Sequence, residues 1–230
     1  MLFAIDIDGT IAKGDAKLAP YAQFLNQMVG FGLPDSFFAD DMDQDAYSAA
    51  VKASGVTKEI LEQARELKQF DPTSQERSVP IPGAVEAMHQ LADRGKLIYI
   101  TVRMPFSEAL TRSWLARTGF PNSQECHCCA NLYYKIRRAY EVANEHEPIV
   151  LIDDLASRVA WTMALAKRAE PDIARSLWHR LFLVPFGKRP DIRLAHHLTH
   201  FMKPRIVSWE KKAIQAFLEE AQDYGFARRY

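Results

Sequence analysis

The sequence has no surplus of charge, no long apolar run and few cysteines, and each shortage narrows what the chain can be. Its 29 basic residues balance 29 acidic ones, so bulk electrostatics give no reason to expect a nucleic acid polymer or an anionic membrane as partner. No apolar run approaches the ~18 residues that span a bilayer. The first apolar stretch is interrupted by Asp6 and Asp8, where a secretory signal would stay apolar. The three cysteines, Cys126, Cys128 and Cys129, crowd within four positions and do not make a disulfide framework. Internal repeats and low-complexity tracts are missing as well. The expectation is a soluble cytoplasmic protein of a reducing compartment. Its 230 residues, 48% hydrophobic and 25% charged, suffice for one large domain or for a domain with a small insert.

What is present starts with Phe3-Ala4-Ile5-Asp6-Ile7-Asp8-Gly9-Thr10, which sets two carboxylates two residues apart at the end of a short apolar run. Alternation along a strand would turn both toward one face. Gly9 lets the chain turn, so the acids are expected at the carboxyl end of a buried strand, where open α/β sheets place their chemistry. Adjacent anions raise one another's pKa unless a cation lies between them. The pair predicts a metal, a shared proton, or both.

Between Lys13 and Pro80 the pattern is helical without a convincing strand. Leu18, Tyr21, Ala22, Leu25, Met28 and Val29 follow helical spacing, and Thr57 caps a run with Ile60, Leu61, Ala64 and Leu67. This stretch, residues 13–80, reads as an all-helical insert in a core made of 1–12 and 81–230. From Pro82 the pattern alternates. A helix with Val85, Met88 and Leu91 ends with Gly95 as its C′ residue, and a strand runs over Leu97–Val102. Ser107 caps the next helix, Glu125–Asn131 is a weaker strand, and Lys135–Glu147 is helical. Ile149–Ile152 is a strand ending in Asp153-Asp154, followed by a helix from Ala156 and a strand at Leu181–Val184. Such alternation predicts an α/β fold, a Rossmann-like, doubly wound, mostly parallel sheet.

Parallel strands would bring their loaded ends together: Asp6 and Asp8, then Thr101, then Asp153 and Asp154, with Lys135 on the helix before the last. Clustered oxygen ligands of this kind suit Mg²⁺, with phosphate completing its shell. The constellation reads as phosphoryl-transfer machinery.

In that order, Asp6-Ile7-Asp8-Gly9-Thr10, Thr101, Lys135 and Asp153-Asp154 resemble the four motifs of the haloacid dehalogenase superfamily, over roughly residues 1–12 and 80–185. The resemblance implies that Asp6 attacks phosphorus to form an aspartyl-phosphate and that Asp8 serves as acid and then base. It implies Mg²⁺ held by Asp6, the backbone carbonyl of Asp8 and Asp153, with Asp154 orienting the ligands. Thr101, with the following Val102 amide, would hold a phosphoryl oxygen, and Lys135 would neutralise charge. An acid at Asp8 favours hydrolysis of a phosphate ester or anhydride over carbon-halogen chemistry. The helical insert resembles the superfamily's cap between its first and second motifs, and the 17 residues between Lys135 and Asp153 leave no room for a second cap. A lidded site implies a small phosphorylated metabolite, a nucleotide or a sugar phosphate. Phe24, Phe37, Phe38 and Tyr47 are either contacts to its leaving group or the cap's own core. A phosphomutase or phosphotransferase, and a catalytically silent scaffold, are the alternatives.

Three features stand outside these motifs. Arg103 follows Thr101 by two and either touches an anionic part of the substrate or pairs with an acid in the core. Cys126-His127-Cys128-Cys129 invites a zinc reading, but neighbours on a strand point to opposite faces, and buried thiols are the simpler account. In the tail, His196 and His200 have helical spacing without a carboxylate partner, and Glu210–Tyr224 is an amphipathic helix that packs on the core. Trp209, Phe217 and Tyr224 are equally compatible with a homodimer contact.

Overall fold

The structure, a computed structural model, describes residues 1–13, 78–169, 180–187 and 206–221, with isolated positions between them. The chain forms two compact units, Met1–Lys13 with Pro80–Tyr230, and Gly14–Val79. The helices expected between 13 and 80, the aromatic residues named there, and His196, His197 and His200 lie outside the described residues.

The first unit is built on a five-stranded sheet of β1 (Leu2–Ile5), β2 (Lys96–Thr101), β3 (Cys126–Cys128), β4 (Ile149–Asp153) and β5 (Leu181–Pro185), in the order β3-β2-β1-β4-β5. Every neighbouring pair is parallel. Connecting helices are α1 (Ala84–Ala92) before β2, α2 (Glu108–Arg117) and α3 (Leu132–Val142) on either side of β3, and α4 (Ala156–Ala169) before β5. This is the doubly wound α/β arrangement that the alternation predicts.

Strand alternation divides the core in two. Phe3, Ile5, Leu97, Tyr99, Val150 and Ile152 pack on one face with Met88, Leu91, Trp114 and Leu115 of α1 and α2. Leu2, Ala4, Ile98, Ile100, Ile149 and Leu151 pack on the other with Ile136 and Ala139 of α3 and Val159 and Ala160 of α4. Leu2, Phe3 and Ile5 are at most 1% exposed, each contributing about 1.5–3 kcal/mol relative to exposure. That gain offsets the several kcal/mol that a carboxylate loses on leaving water at the next position. Parity then puts Asp6 and Asp153 on the α3–α4 side, because they continue Leu2, Ala4 and Ile149, Leu151.

The ends of the elements correct several sequence expectations. Gly95 does not close α1 in a left-handed conformation; the cap is Asp93, and glycine is needed because a Cβ there would press on the Met1 carbonyl. Ser107 does sit at the N-cap of α2, but its hydroxyl donates to the Met104 carbonyl at 2.7 Å instead of capping the helix. Helix α3 starts three residues earlier than its apolar spacing suggests, since Asn131 caps it by accepting the Tyr134 N–H at 3.1 Å. The weak strand candidate after Glu125 is the short edge strand β3. Its outward groups are occupied, with Arg112 donating to the Cys126 carbonyl at 3.0 Å and Glu108 accepting the Cys128 N–H at 3.1 Å. An edge capped in this way cannot template another strand.

Cys126 and Cys128 face the core with Tyr99 and Trp114, and Cys129 belongs to the opposite cluster. All three are free buried thiols, as strand alternation requires. Helix α5 (Lys211–Ala221) buries Ile214 and Phe217 in the α1–α2 cluster. Trp209 is 2% exposed and stacks on Phe186 at 4.9 Å between centroids. Trp209 and Phe217 are therefore core residues. Among the described residues no helix is long and apolar enough to cross a membrane.

Candidate active site

The site lies where β1, β2 and β4 end, on both sides of the central strand. Asp6 still belongs to the sheet, its N–H donating to the Ile152 carbonyl at 2.9 Å. Beyond it the Ile7 carbonyl accepts the N–H groups of Thr10, Ile11 and Ala12, so the chain folds back at once. Gly9 makes this turn at φ +83°, and any Cβ there would collide with the Asp154 carboxylate. The turn overrides the expectation that Asp6 and Asp8 share a face. The Asp6 side chain is buried on the α3 side, whereas that of Asp8 is 53% exposed and directed to Arg103.

Lys135, in the first turn of α3 and 1% exposed, donates to Asp6 Oδ1 at 2.5 Å and to Asp153 Oδ2 at 2.7 Å. Asp153 is fixed through its other oxygen, which accepts the Leu155 N–H at 2.6 Å. Thr10 is the hub: its hydroxyl donates to Asp6 Oδ2 at 3.4 Å and accepts the Asp154 N–H at 3.1 Å. The Trp209 indole N–H in turn donates to the Thr10 carbonyl at 2.6 Å. Thr101, 1% exposed, closes β2 two residues beyond Tyr99, the partner of Ile5. Val102 follows it at the surface.

Burial and neighbouring charges together set the titration behaviour. Burial pushes the Asp6 carboxyl up to about 7, against the pull of the Lys135 ammonium and with the help of Asp153. Burial and the Asp153 charge raise Asp154 to about 6. Burial alone would depress Lys135, but its two carboxylate partners outweigh that and hold its proton more firmly than usual. Asp6, Asp153 and Asp154 each offer a ligand atom within 4.8 Å of the others. Three carboxylates against one ammonium leave a formal charge of −2 when all are ionised. Asp154 Oδ1 is buried and has no hydrogen-bond partner. An all-oxygen cluster with an unsatisfied buried oxygen and this residual charge fits a hard divalent cation. The Asp8 carboxylate stands outside the cluster.

Arg103 grips Asp8 with both arms of its fork, Nε to Oδ2 at 2.8 Å and Nη2 to Oδ1 at 2.7 Å. Of the two roles open to it from sequence, the structure displays the ion pair with an acid. Two participants carried no site role in the sequence reading: Thr10, quoted only as part of the first motif, and Trp209, offered only as a homodimer contact. Thr10 had a signal, since it completes the Asp-x-Asp-Gly-Thr string; Trp209, 199 residues away, had none.

No family model matches the sequence and no curated protein does. Solved structures do. The haloacid dehalogenase hydrolase YfnB of Bacillus subtilis, solved bound to magnesium, superposes with a TM-score of 0.52 at 14% identity, over 95% of this chain and 98% of that one. The haloacid dehalogenase-like protein SP0104 of Streptococcus pneumoniae gives 0.51 at 13% identity, over 94% and 97%. A hydrolase from Pseudomonas syringae gives 0.50 at 14%, over 95% and 97%. The chain has the haloacid dehalogenase-like fold. In that fold the carboxyl ends of β1, β2 and β4 meet at the strand-order switch point, where ligands of open α/β sheets bind. Here that edge carries Asp6, Thr101, Asp153 and Lys135.

Proposed function

We propose that this chain is a Mg²⁺-dependent phosphatase of the haloacid dehalogenase superfamily, hydrolysing a small organic phosphate monoester through an aspartyl-phosphate on Asp6. The observation that carries the reading is the buried Asp6 carboxylate, held by Lys135 and Thr10 beside Asp153 and Asp154. A fold kept only for binding has no use for such a cluster, whose desolvation costs several kcal/mol.

In this reading an Asp6 oxygen attacks phosphorus, the P–O bond to the leaving group breaks, and the departing oxygen takes the proton of Asp8. Asp8, now a carboxylate, removes a proton from water as that water attacks the acyl phosphate, releasing phosphate and restoring Asp6. Thr101 and the Val102 amide hold the phosphoryl oxygens, and Lys135 offsets their charge. Asp6, the Asp8 carbonyl, Asp153 and Asp154 would hold Mg²⁺, which when bound supplies the positive charge that lets a phosphate dianion approach this acidic site. The 13–80 segment is proposed as the helical cap. Val102, Phe106, Tyr134 and Leu155 are exposed apolar residues close in sequence to Thr101, Arg103, Lys135 and Asp154. They support an organic leaving group with an apolar face, a nucleotide ahead of a sugar phosphate.

The test is release of p-nitrophenol from p-nitrophenyl phosphate. Turnover should require Mg²⁺ and vanish in Asp6→Asn, whereas Mg²⁺-stimulated turnover by that variant would show that another residue is the nucleophile. Turnover that speeds up with an added alcohol, with phosphate transferred to it, would favour a phosphotransferase.

A further inference from the structure

Arg103 is 5% exposed and held on three sides. Its guanidinium lies 5.7 Å from the centroid of the Trp114 ring, Nη1 approaches the Thr111 hydroxyl at 3.4 Å, and Nε and Nη2 both go to Asp8. Thr111 is itself fixed, donating to the Ser107 carbonyl at 2.9 Å on the first turns of α2. The cation is thus the rigid member of the pair, its side chain 3% exposed against 53% for Asp8. An anchored planar fork determines both the position and the plane of the carboxylate it binds, which a lysine cannot do.

We propose that Arg103 is a positioning residue for the phosphatase reaction: it locks the Asp8 carboxyl in the orientation from which that group meets the leaving oxygen. The inference rests on the phosphatase reading above. The fork uses one acceptor site on each Asp8 oxygen and leaves an outer one to carry the proton that passes to the leaving oxygen. A direct phosphate-binding role for Arg103 does not fit, because Nε and Nη2 are engaged by Asp8 and the guanidinium is closed off from solvent. Without the fork, Asp8 is an exposed side chain on a turn, free to rotate. Misplacement of a reacting group by about 1 Å costs on the order of 100-fold.

The experiment compares two esters of nearly the same shape. p-Nitrophenolate departs readily as an anion, whereas phenolate needs the proton more. The quantity kcat/KM extends only to the aspartyl-phosphate, so it isolates this proton donation. In Arg103→Lys with Mg²⁺, kcat/KM for phenyl phosphate should fall about 10- to 100-fold and that for p-nitrophenyl phosphate by several-fold less. Asp8→Asn should likewise lose more on phenyl phosphate than on p-nitrophenyl phosphate, and the double variant should lose no more than Asp8→Asn, as residues acting through one another do. Equal losses on both esters, or additive losses in the double variant, overturn the proposal. Should Arg103→Lys not fold, Thr111→Val, which removes the hydroxyl behind Nη1, should shift the ratio in the same direction by about two- to threefold; an unshifted ratio overturns the proposal equally. A wild-type protein inactive on both esters defeats the phosphatase reading instead.

Discussion

Replacing Lys135 by Met keeps the aliphatic stem in its packing and removes one charge, leaving Asp6 and Asp153 without their shared partner. Removing one member of a buried pair costs about 3–5 kcal/mol. At ~2–4 °C per kcal/mol for a chain of this size, Lys135→Met should melt roughly 6–20 °C below the wild type in EDTA at pH 7.5. The deficit must depend on pH. The Asp6 carboxyl already stands at about 7 through burial, despite the ammonium beside it, and it rises further once Lys135 is gone. The native variant then keeps a proton that the unfolded chain, with an ordinary Asp near ~3.9, gives up. Stability therefore falls as pH climbs from about 4 through the folded-state value, but the wild type falls with it until Asp6 ionises at about 7, so the deficit should widen only near and above that value and exceed its pH 4.5 size by up to about 1 kcal/mol at 7.5. Mg²⁺ should recover more of the melting temperature in the variant than in the wild type, because the uncompensated charge is greater. Thermal melts by circular dichroism at the two pH values, with EDTA or Mg²⁺, read all of this. A variant within about 2 °C of wild type at pH 7.5, or a deficit equal at both pH values, would refute the electrostatic account of the site.

Four further outcomes follow from the same geometry. In EDTA the wild type should lose stability relative to Asp6→Asn between pH 4 and pH 7, by at most about 4 kcal/mol, since Asp6 is raised to about 7 in the folded state; parallel melting curves for the two proteins would contradict this. Gly9→Ala should cost about 1–2 kcal/mol for its left-handed φ and weaken Mg²⁺ binding, because the new methyl displaces the Asp154 carboxylate; calorimetry and a thermal melt check the pair of effects. Asp154→Asn should weaken Mg²⁺ binding by about 10- to 100-fold with an unchanged fold by circular dichroism. Trp209→Phe leaves the Thr10 carbonyl without its indole donor, which should destabilise the protein by about 1–3 kcal/mol, measured as a shift in urea midpoint.

The sheet was legible because β1, β2, β4 and β5 are short, largely continuous apolar runs of aliphatic and aromatic residues buried on both faces, a pattern that length and flanking turns separate from helix. Asp6, Thr101 and Asp153 were legible for the same reason, being the polar residues that end those runs. The partnership of Asp8 was not, because strand alternation stops at Ile7, whose carbonyl gathers three N–H groups and turns the chain. Nothing local to Asp8 or Arg103 says that residues 95 positions apart will pair. Lys135 was placed on the correct helix, but its burial depends on the Asn131 cap starting α3 early enough to set it in the first turn. Trp209 was read as a homodimer contact instead of a support of the site, because its role depends on a contact with the Thr10 carbonyl that only the folded chain creates.

The most direct measurement is the mass of the N-terminal peptide from protein quenched in acid during turnover of p-nitrophenyl phosphate with Mg²⁺. The account predicts a phosphoryl group on Asp6, present during turnover and gone once substrate is exhausted. A phosphoryl group found on any other residue, or rapid turnover with Asp6 never modified, would contradict it.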